Sequence, residues 1–221
     1  MIKRKIVFGS YDTAANGWTM TSWKLSDAQA KTRYEDKPGG DGTWDLSTAL
    51  TDGLVRYKDR TLTVTLECSE GDRLSREAKI SQLVNTLDGM RETIELPDDP
   101  YHHIRGRLHV ARNYSDMAHA KVTVTATCDP WKYSNTETTV KLTAATGAKA
   151  IKLVNGGRLA VVPLLTVTGS SASVLLSYGS SSLALAAGSY KWPELILTPG
   201  NHDLSYSGSG NLTISYREAV L

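Results

Sequence analysis

The chain has 221 residues, 40% hydrophobic and 22% charged, an ordinary balance for a soluble globular protein with one large or two modest cores. A net charge of +2 argues against a dedicated nucleic-acid binder, which carries a concentrated basic face. No stretch approaches the ~20 apolar residues of a membrane span, and the basic start "MIKRKIVFGSYD" precedes too short an apolar run for a signal peptide, so cytoplasmic synthesis is expected.

In chain order, "IKRKIVFGSY" and "GWTMTSWKLSD" predict short strands around an Asn16-Gly17 turn. "KPGGDGTWDLSTALTDG" (37–53), with four glycines, reads as a loop-rich excursion and a candidate mobile arm. In "LVRYKDRTLTVTLEC" the second half alternates and predicts a strand. One helix follows over about 72–88: Asp72 can cap it, Ile80, Leu83, Val84 and Leu87 form an apolar stripe, and Gly89 can close it. "RETIEL", "IRGRLHVARNY" and "VTVTATC" complete the strands of this part.

At "VTVTATCDPWKYS" the composition changes. Residues 1–133 hold 38 of the charged side chains and residues 134–221 only 10, while Gly and Ser supply 22 of those last 88 positions. Asp129-Pro130 stops the strand, since proline donates no ladder hydrogen bond and restrains the residue before it. The chain is therefore expected to be mainly β with two domains: 1–133, a β-sandwich or barrel-like domain with one helix, and 134–221, a small β-sandwich of about eight short strands. Trp131 and Tyr133 are expected to pack in the crease between them. In the second domain "AIKLV", Asn155-Gly156-Gly157 and "RLAVVPLLTV" read as a hairpin, with Pro163 at an edge or bulge. "SVLLSYG", "SLALAAG", "PELILTPG", "DLSYSG" and "NLTISYRE" supply the remaining strands.

Reactive chemistry finds little support. His102 and His103 are adjacent, so a strand sends them to opposite faces; with His109, His119 and Asp98-Asp99 they match no structural zinc spacing. Cys68 and Cys128 fall in the apolar phase of their strands and read as small buried hydrophobes. The serines of "GSSASVLLSYGSSS" lack a nucleophile elbow, and His202 in "PGNHD" reads as turn chemistry. "GGDGTWD" lacks the helix and Lys-Ser/Thr of a phosphate loop. The sequons at Asn113 and Asn211 mean nothing without secretion. Trp192, Tyr190, Tyr178 and Tyr206 form a candidate saccharide platform, weighed against their use as core. No catalytic, cofactor or metal residue is assigned.

Several quoted pieces recur in order in one family: "GTWDLSTALTDGLVRYKDRTLTVTLEC", the single helix, "VTVTATCDPWKYS", "NGGRLAVVPLLTVTG" and "LTPGNHDLSYSGSGNLTISYREAVL". Over nearly its whole length the chain resembles the distal tail protein (Dit) of siphoviruses, the long-tailed, non-contractile bacteriophages. The resemblance implies a virion structural protein and no enzyme. Its first domain would form a hexameric ring at the end of the tail tube, and its second, galectin-like, would project outward. The ring would join tail tube to tip hub or receptor-binding protein, with DNA only passing through its channel. Loop 37–53 would reach across to the next subunit. The chain lacks a large insertion in its second domain, so an added adhesion module is not expected. Two other classes compete: a carbohydrate-binding protein gripping a host cell-wall saccharide, and a cell-wall hydrolase, which lacks a triad, zinc set or assignable acid pair.

Overall fold

A computed structural model describes residues 5–51, 53–69, 71–113 and 119–221. The beginning of the predicted strand "IKRKIVFGSY", the residues completing the Asn113 sequon and Asp52 of the predicted arm lie outside the described residues. The protein is mainly β, with one helix among the described residues, as its alternating sequence predicts. It divides into two compact units, one ending at Lys132 and the other spanning Tyr133–Leu221.

The first unit opens with two short strands, β1 (Val7–Phe8) and β2 (Tyr11–Asp12). They pair through Gly9 at φ 59, so the first reversal comes earlier than Asn16-Gly17. Asn16-Gly17 is still a turn, but it leads to β3 (Thr19–Leu25), which pairs elsewhere. The reason is side-chain chemistry: Asp12 Oδ1 accepts the Ala14 and Ala15 N–H groups at 2.9 and 3.2 Å, winding 12–17 into a broad bend.

Within the expected glycine-rich loop lies a hairpin, β4 (Tyr34–Asp36) and β5 (Thr43–Asp45). Its turn uses Gly39 and Gly42 at φ 70 and 78, and Lys37 N–H reaches Gly42 O at 3.2 Å. Residues 29–45 are all exposed.

Next come β6 (Arg60–Cys68), helix α1 (Arg73–Leu87), β7 (Arg91–Glu95), β8 (His102–Asn113) and β9 (Ala120–Cys128). The strands run antiparallel in the order β2-β1-β7-β8-β9-β6-β3. Alternation decides which residues go inside: Leu62, Val64 and Leu66 of β6, Val122, Val124 and Ala126 of β9, and Ile104 and Leu108 of β8 share one buried cluster with Ile6, Phe8 and Trp18. Ends of the sheet distant in order thus close over one core. Gly106 takes an inward position that admits no side chain, because a Cβ there would lie 2.6 Å from Cys128 Sγ.

The helix starts where predicted: Asp72 accepts the Ser75 N–H at 2.8 Å. Ile80, Leu83 and Leu87 are buried, Val84 packs beside them, and Gly89 follows at φ 76. On the opposite sheet face, register pairs Thr61 with Thr127, Thr63 with Thr125 and Thr65 with Thr123, a hydroxyl array at the centre of the sheet.

After β10 (Lys132–Ser134), the second unit has β11 (Thr138–Leu142), β12 (Ala145–Asn155), β13 (Leu164–Tyr178), β14 (Ser181–Ala186), β15 (Gly188–Lys191), β16 (Gly200–Tyr216) and β17 (Ala219–Val220). Two of these are far longer than the sequence suggests. "TVTG" and "SVLLSYG" are one strand, as are "DLSYSG" and "NLTISYRE", each bent rather than ended at its glycines: Gly169 at φ 134, and Gly208 and Gly210 at φ 126 and 121.

Each bent strand serves two layers. In one layer, β11 pairs residues 212–216 of β16, residues 211–215 of β16 pair residues 164–168 of β13, and residues 164–167 pair β15. In the other, β12 pairs residues 200–208 of β16, residues 204–209 of β16 pair residues 173–178 of β13, and these pair β14. Leu165, Val167, Val174, Leu176, Leu204, Leu212 and Ile214 fill the space between.

The expected hairpin at Asn155-Gly156-Gly157 does not form, since β12 pairs β16 and not β13. Asn155 is buried, and its amide donates to Leu159 O and Leu197 O, both at 2.8 Å, while its Oδ1 accepts Gly157 N–H. The segment is thereby led across toward Ala219, whose carbonyl accepts Arg158 N–H at 2.7 Å. Pro163 precedes β13 rather than lying in it. "PELILTPG" forms no strand; Leu197 makes an isolated bridge to Val161.

Candidate functional site

The sequence singles out Asp98-Asp99 and the histidines, and the structure separates them by role. Pro97 and Pro100 confine Asp98-Asp99 to a turn before β8, with Asp99 N–H reaching Leu96 O at 3.4 Å. Asp99 Oδ1 lies 2.9 Å from His102 Nδ1, and Asp99 Oδ2 is 3.2 Å from Lys132 Nζ. Burial works against the charged carboxylate of Asp99, but hydrogen bonds from His102 and Lys132 outweigh it and hold the group below its usual range. His103 is buried, one position out of phase with His102. His109 instead meets Asp88 at 3.0 Å, and the same Asp88 oxygen accepts Val110 N–H at 2.8 Å, tying the helix end to β8. His119 stands ahead of β9. Among the described residues no three His, Cys, Asp or Glu side chains gather as a metal would need.

Asp98, Asp99 and Lys132 rim a groove of about 480 Å³ at the edge of the first unit's sheet. Trp23 and Leu25 of β3 and Leu96 supply its apolar lining, and Lys24 and Arg60 add cations. Arg60 is only 8% exposed. Its Nε donates to Ser26 O at 2.7 Å, but Nη1 is enclosed with no acceptor. Burial lowers its pKa and the charge of Asp27 acts against that; a guanidinium stays charged at physiological pH. A buried, charged donor lacking an acceptor is costly, and sequence reading missed it. Its only local signal is an arginine in the inward phase of "RTLTVTLEC".

A second groove, about 470 Å³, is lined by Arg91, Arg107, His109, Asp129 and Cys128 among others. Three of its charges are committed to structure: Arg91 pairs with Asp129 at 2.7 Å, and Arg107 donates to Gly89 O at 2.6 Å. Burial pushes the Cys128 thiol up to about 11, which leaves it protonated at neutral pH and a poor nucleophile. Cys68 is buried as well.

In the second unit the aromatic platform is taken up by packing. Trp192 and Tyr206 are 5% and 6% exposed, and Tyr178 and Tyr190 pack against the same core. Their polar ends are satisfied inwardly: Trp192 Nε1–H reaches Glu194 at 2.7 Å and Tyr206 O–H reaches Thr143 O at 3.0 Å. His202 has both nitrogens occupied, Nδ1 with Tyr178 O–H at 2.9 Å and Nε2 with Thr198 O at 2.7 Å, so it offers no base to the serines nearby in sequence. Trp131, expected at the crease, packs edge-to-face on Tyr57 of the first unit, 5.3 Å between ring centroids.

Exposed apolar residues occur in both units. Tyr34 and Trp44 on the β4–β5 arm are 57% and 50% exposed, followed by Leu50, Leu54 and Val55. An isolated two-stranded hairpin is marginal in water, and Tyr34 and Trp44 stand on its opposite faces.

No family model and no curated protein matches the sequence. A solved structure does match the fold: Dit (gp 19.1) of phage SPP1, described as a paradigm of the hub adsorption apparatus in phages infecting Gram-positive bacteria. The superposition has a TM-score of 0.69 at 17% identity and covers 98% of this chain and 99% of that one. The chain thus has the fold of a Dit protein from end to end, the likeness its ordered sequence pieces carry.

Proposed function

We propose that this chain is a distal tail protein of a bacteriophage, a structural component of the tail adsorption apparatus in the virion and not an enzyme. The observation that carries the reading is the likeness of fold over the full length of both chains. In this reading the first unit closes with five copies into a hexameric ring between the tail tube and the tip hub or receptor-binding protein, with DNA passing through the channel. The second unit is the outward, galectin-like sandwich, and assembly takes place in the host cytoplasm. A ring needs head-to-tail contacts whose rotation closes, and an exposed hairpin arm suits such contacts. The pairing of Arg91 with Asp129 and the bond from Arg107 to Gly89 O in the second groove favour a scaffold over a reaction centre. Saccharide recognition would have to use surfaces other than the buried aromatics of the second unit.

The test is placement in the particle. Antibody against the purified chain should label phage virions at the distal end of the tail, and the chain should appear by mass spectrometry in gradient-purified particles. Negative-stain images of the protein should show six-fold rings with a central hole. Absence from virions would overturn the reading.

A further inference from the structure

We infer that the groove of about 470 Å³ on the exposed face of β7, β8 and β9 is a binding site for a sugar phosphate, with the oxyanion at Arg107. All of its residues belong to the first unit, and the site needs no second copy of the chain.

One charge in the groove is unbalanced. Register sets Arg91 directly opposite Arg107, and Arg107 directly opposite Thr127, so two cations stand side by side on one face. Like charges so placed repel. Asp129 answers Arg91 at 2.7 Å, whereas Arg107 has the neutral Gly89 O at 2.6 Å and no carboxylate among the described residues. That one bond fixes the guanidinium and leaves its other N–H donors to solvent, for Arg107 is exposed. Beside it Thr127 is exposed too, its hydroxyl without a partner among the described residues. An oxyanion seated there meets a positioned guanidinium and a hydroxyl donor, the combination by which arginine takes phosphate.

The rest of the lining asks for hydroxyl groups. Asp88 Oδ1 accepts Val110 N–H, so the proton in its 3.0 Å contact with His109 is the one on Nδ1, and Nε2 of the neutral ring is left as an acceptor. Asp59, exposed and without a partner among the described residues, is a second acceptor. Asp59 and Asp129 repel an anion, which confines the phosphate to the Arg107 end and leaves donors to fill the other. A sugar phosphate carries both, one oxyanion and several O–H groups. A peptide fits less well. Each of β7, β8 and β9 has a strand on either side, so no edge is open to backbone pairing, and the apolar members of the lining, Leu108 and Cys128, are turned into the core.

The experiment is a calorimetric titration of the purified full-length chain with glucose 1-phosphate. Saturation at one site is expected, with glucose and inorganic phosphate each binding about tenfold more weakly, since one lacks the anion and the other the hydroxyls. Arg107→Gln should weaken binding by about tenfold, and Lys149→Gln in the second unit should not change it. Should Arg107→Gln misfold for want of the Gly89 bond, Thr127→Val keeps the strand's shape and should weaken binding by about fivefold. Asp59→Ala should weaken the sugar phosphate while leaving inorganic phosphate as tight or tighter, a split that simple charge attraction does not produce. Comparing glucose 1-phosphate with its methyl phosphodiester tells a free sugar phosphate from a unit of a phosphodiester-linked polymer; tighter binding of either supports the site and names its source. No saturation by about 10 mM ligand overturns the inference. So does inorganic phosphate binding as tightly as the sugar phosphate, which marks a bare anion site. An affinity indifferent to both Thr127→Val and Arg107→Gln overturns it as well, and so does displacement by a lower concentration of oligo-aspartate, which points to an acidic protein partner.

Discussion

Replacing Gly208 by alanine probes the construction of the second unit at its bend. At φ 126 the residue sits in a region L side chains rarely adopt, and a Cβ there would lie 2.0 Å from Ser173 O and 3.0 Å from Val174 Cα. Relief requires β16 to move away from β13 by more than an ångström, against the pairing of Val174 with Gly208. Gly200 makes the control: φ is 116, yet nothing lies within 4 Å of its built Cβ, so Gly200→Ala isolates backbone strain. That strain alone costs about 1–3 kcal/mol. Gly208→Ala adds the disturbed ladder bonds and the repacking of buried Val174 beneath them, for a total of about 3–5 kcal/mol. For a unit the size of Tyr133–Leu221, at roughly 4–8 °C per kcal/mol, its melting transition should fall by about 12 °C or more. Scanning calorimetry of the full chain measures it, with the first unit's transition as internal reference. Equal melting of Gly208→Ala and Gly200→Ala would refute the close-approach argument.

Two further expectations concern titratable groups. The depressed pKa of Asp99 stabilises the fold fully above the ordinary carboxylate value of 3.8, and that contribution is lost as pH falls through its lower folded value. Asp99→Asn should therefore flatten the acid limb of stability against pH below about 4 while lowering stability at neutral pH, read by urea unfolding at stepped pH; an unchanged acid limb counts against the network. Cys128, with its thiol pushed up to about 11, and buried Cys68 should resist iodoacetamide at pH 8 in the native protein and react promptly in denaturant, by intact mass; fast native alkylation of either contradicts their burial.

The helix was readable because all its instructions are local: the Asp72 cap, the stripe from Ile80 to Leu87, and a glycine able to take positive φ at 89. The alternating strands of the first unit were readable for the same reason. Where local chemistry has two uses, the sequence misleads. Asn-Gly-Gly has the composition of a tight hairpin, but Asn155 spends its amide on Leu197, 42 residues away, and the chain crosses instead of reversing. Gly-Ser pairs look like strand ends, yet in β13 and β16 they mark bends within strands whose continuation is set by neighbours. In the glycine-rich arm the short runs "YED" and "TWD" carry the hairpin, and the glycines between them disguise it as loop. The groove at Arg60 was not readable, because Ser26, Leu96 and Lys132 converge on it only in three dimensions.

The long strands of the second unit have a consequence for how it fails. Residues 164–178 and 200–216 each run through both layers, so neither layer owns a complete set of strands. Heat or traction cannot peel one away and leave the other intact. The sandwich should let go all at once or hold entirely, a brittle, cooperative module rather than a yielding one.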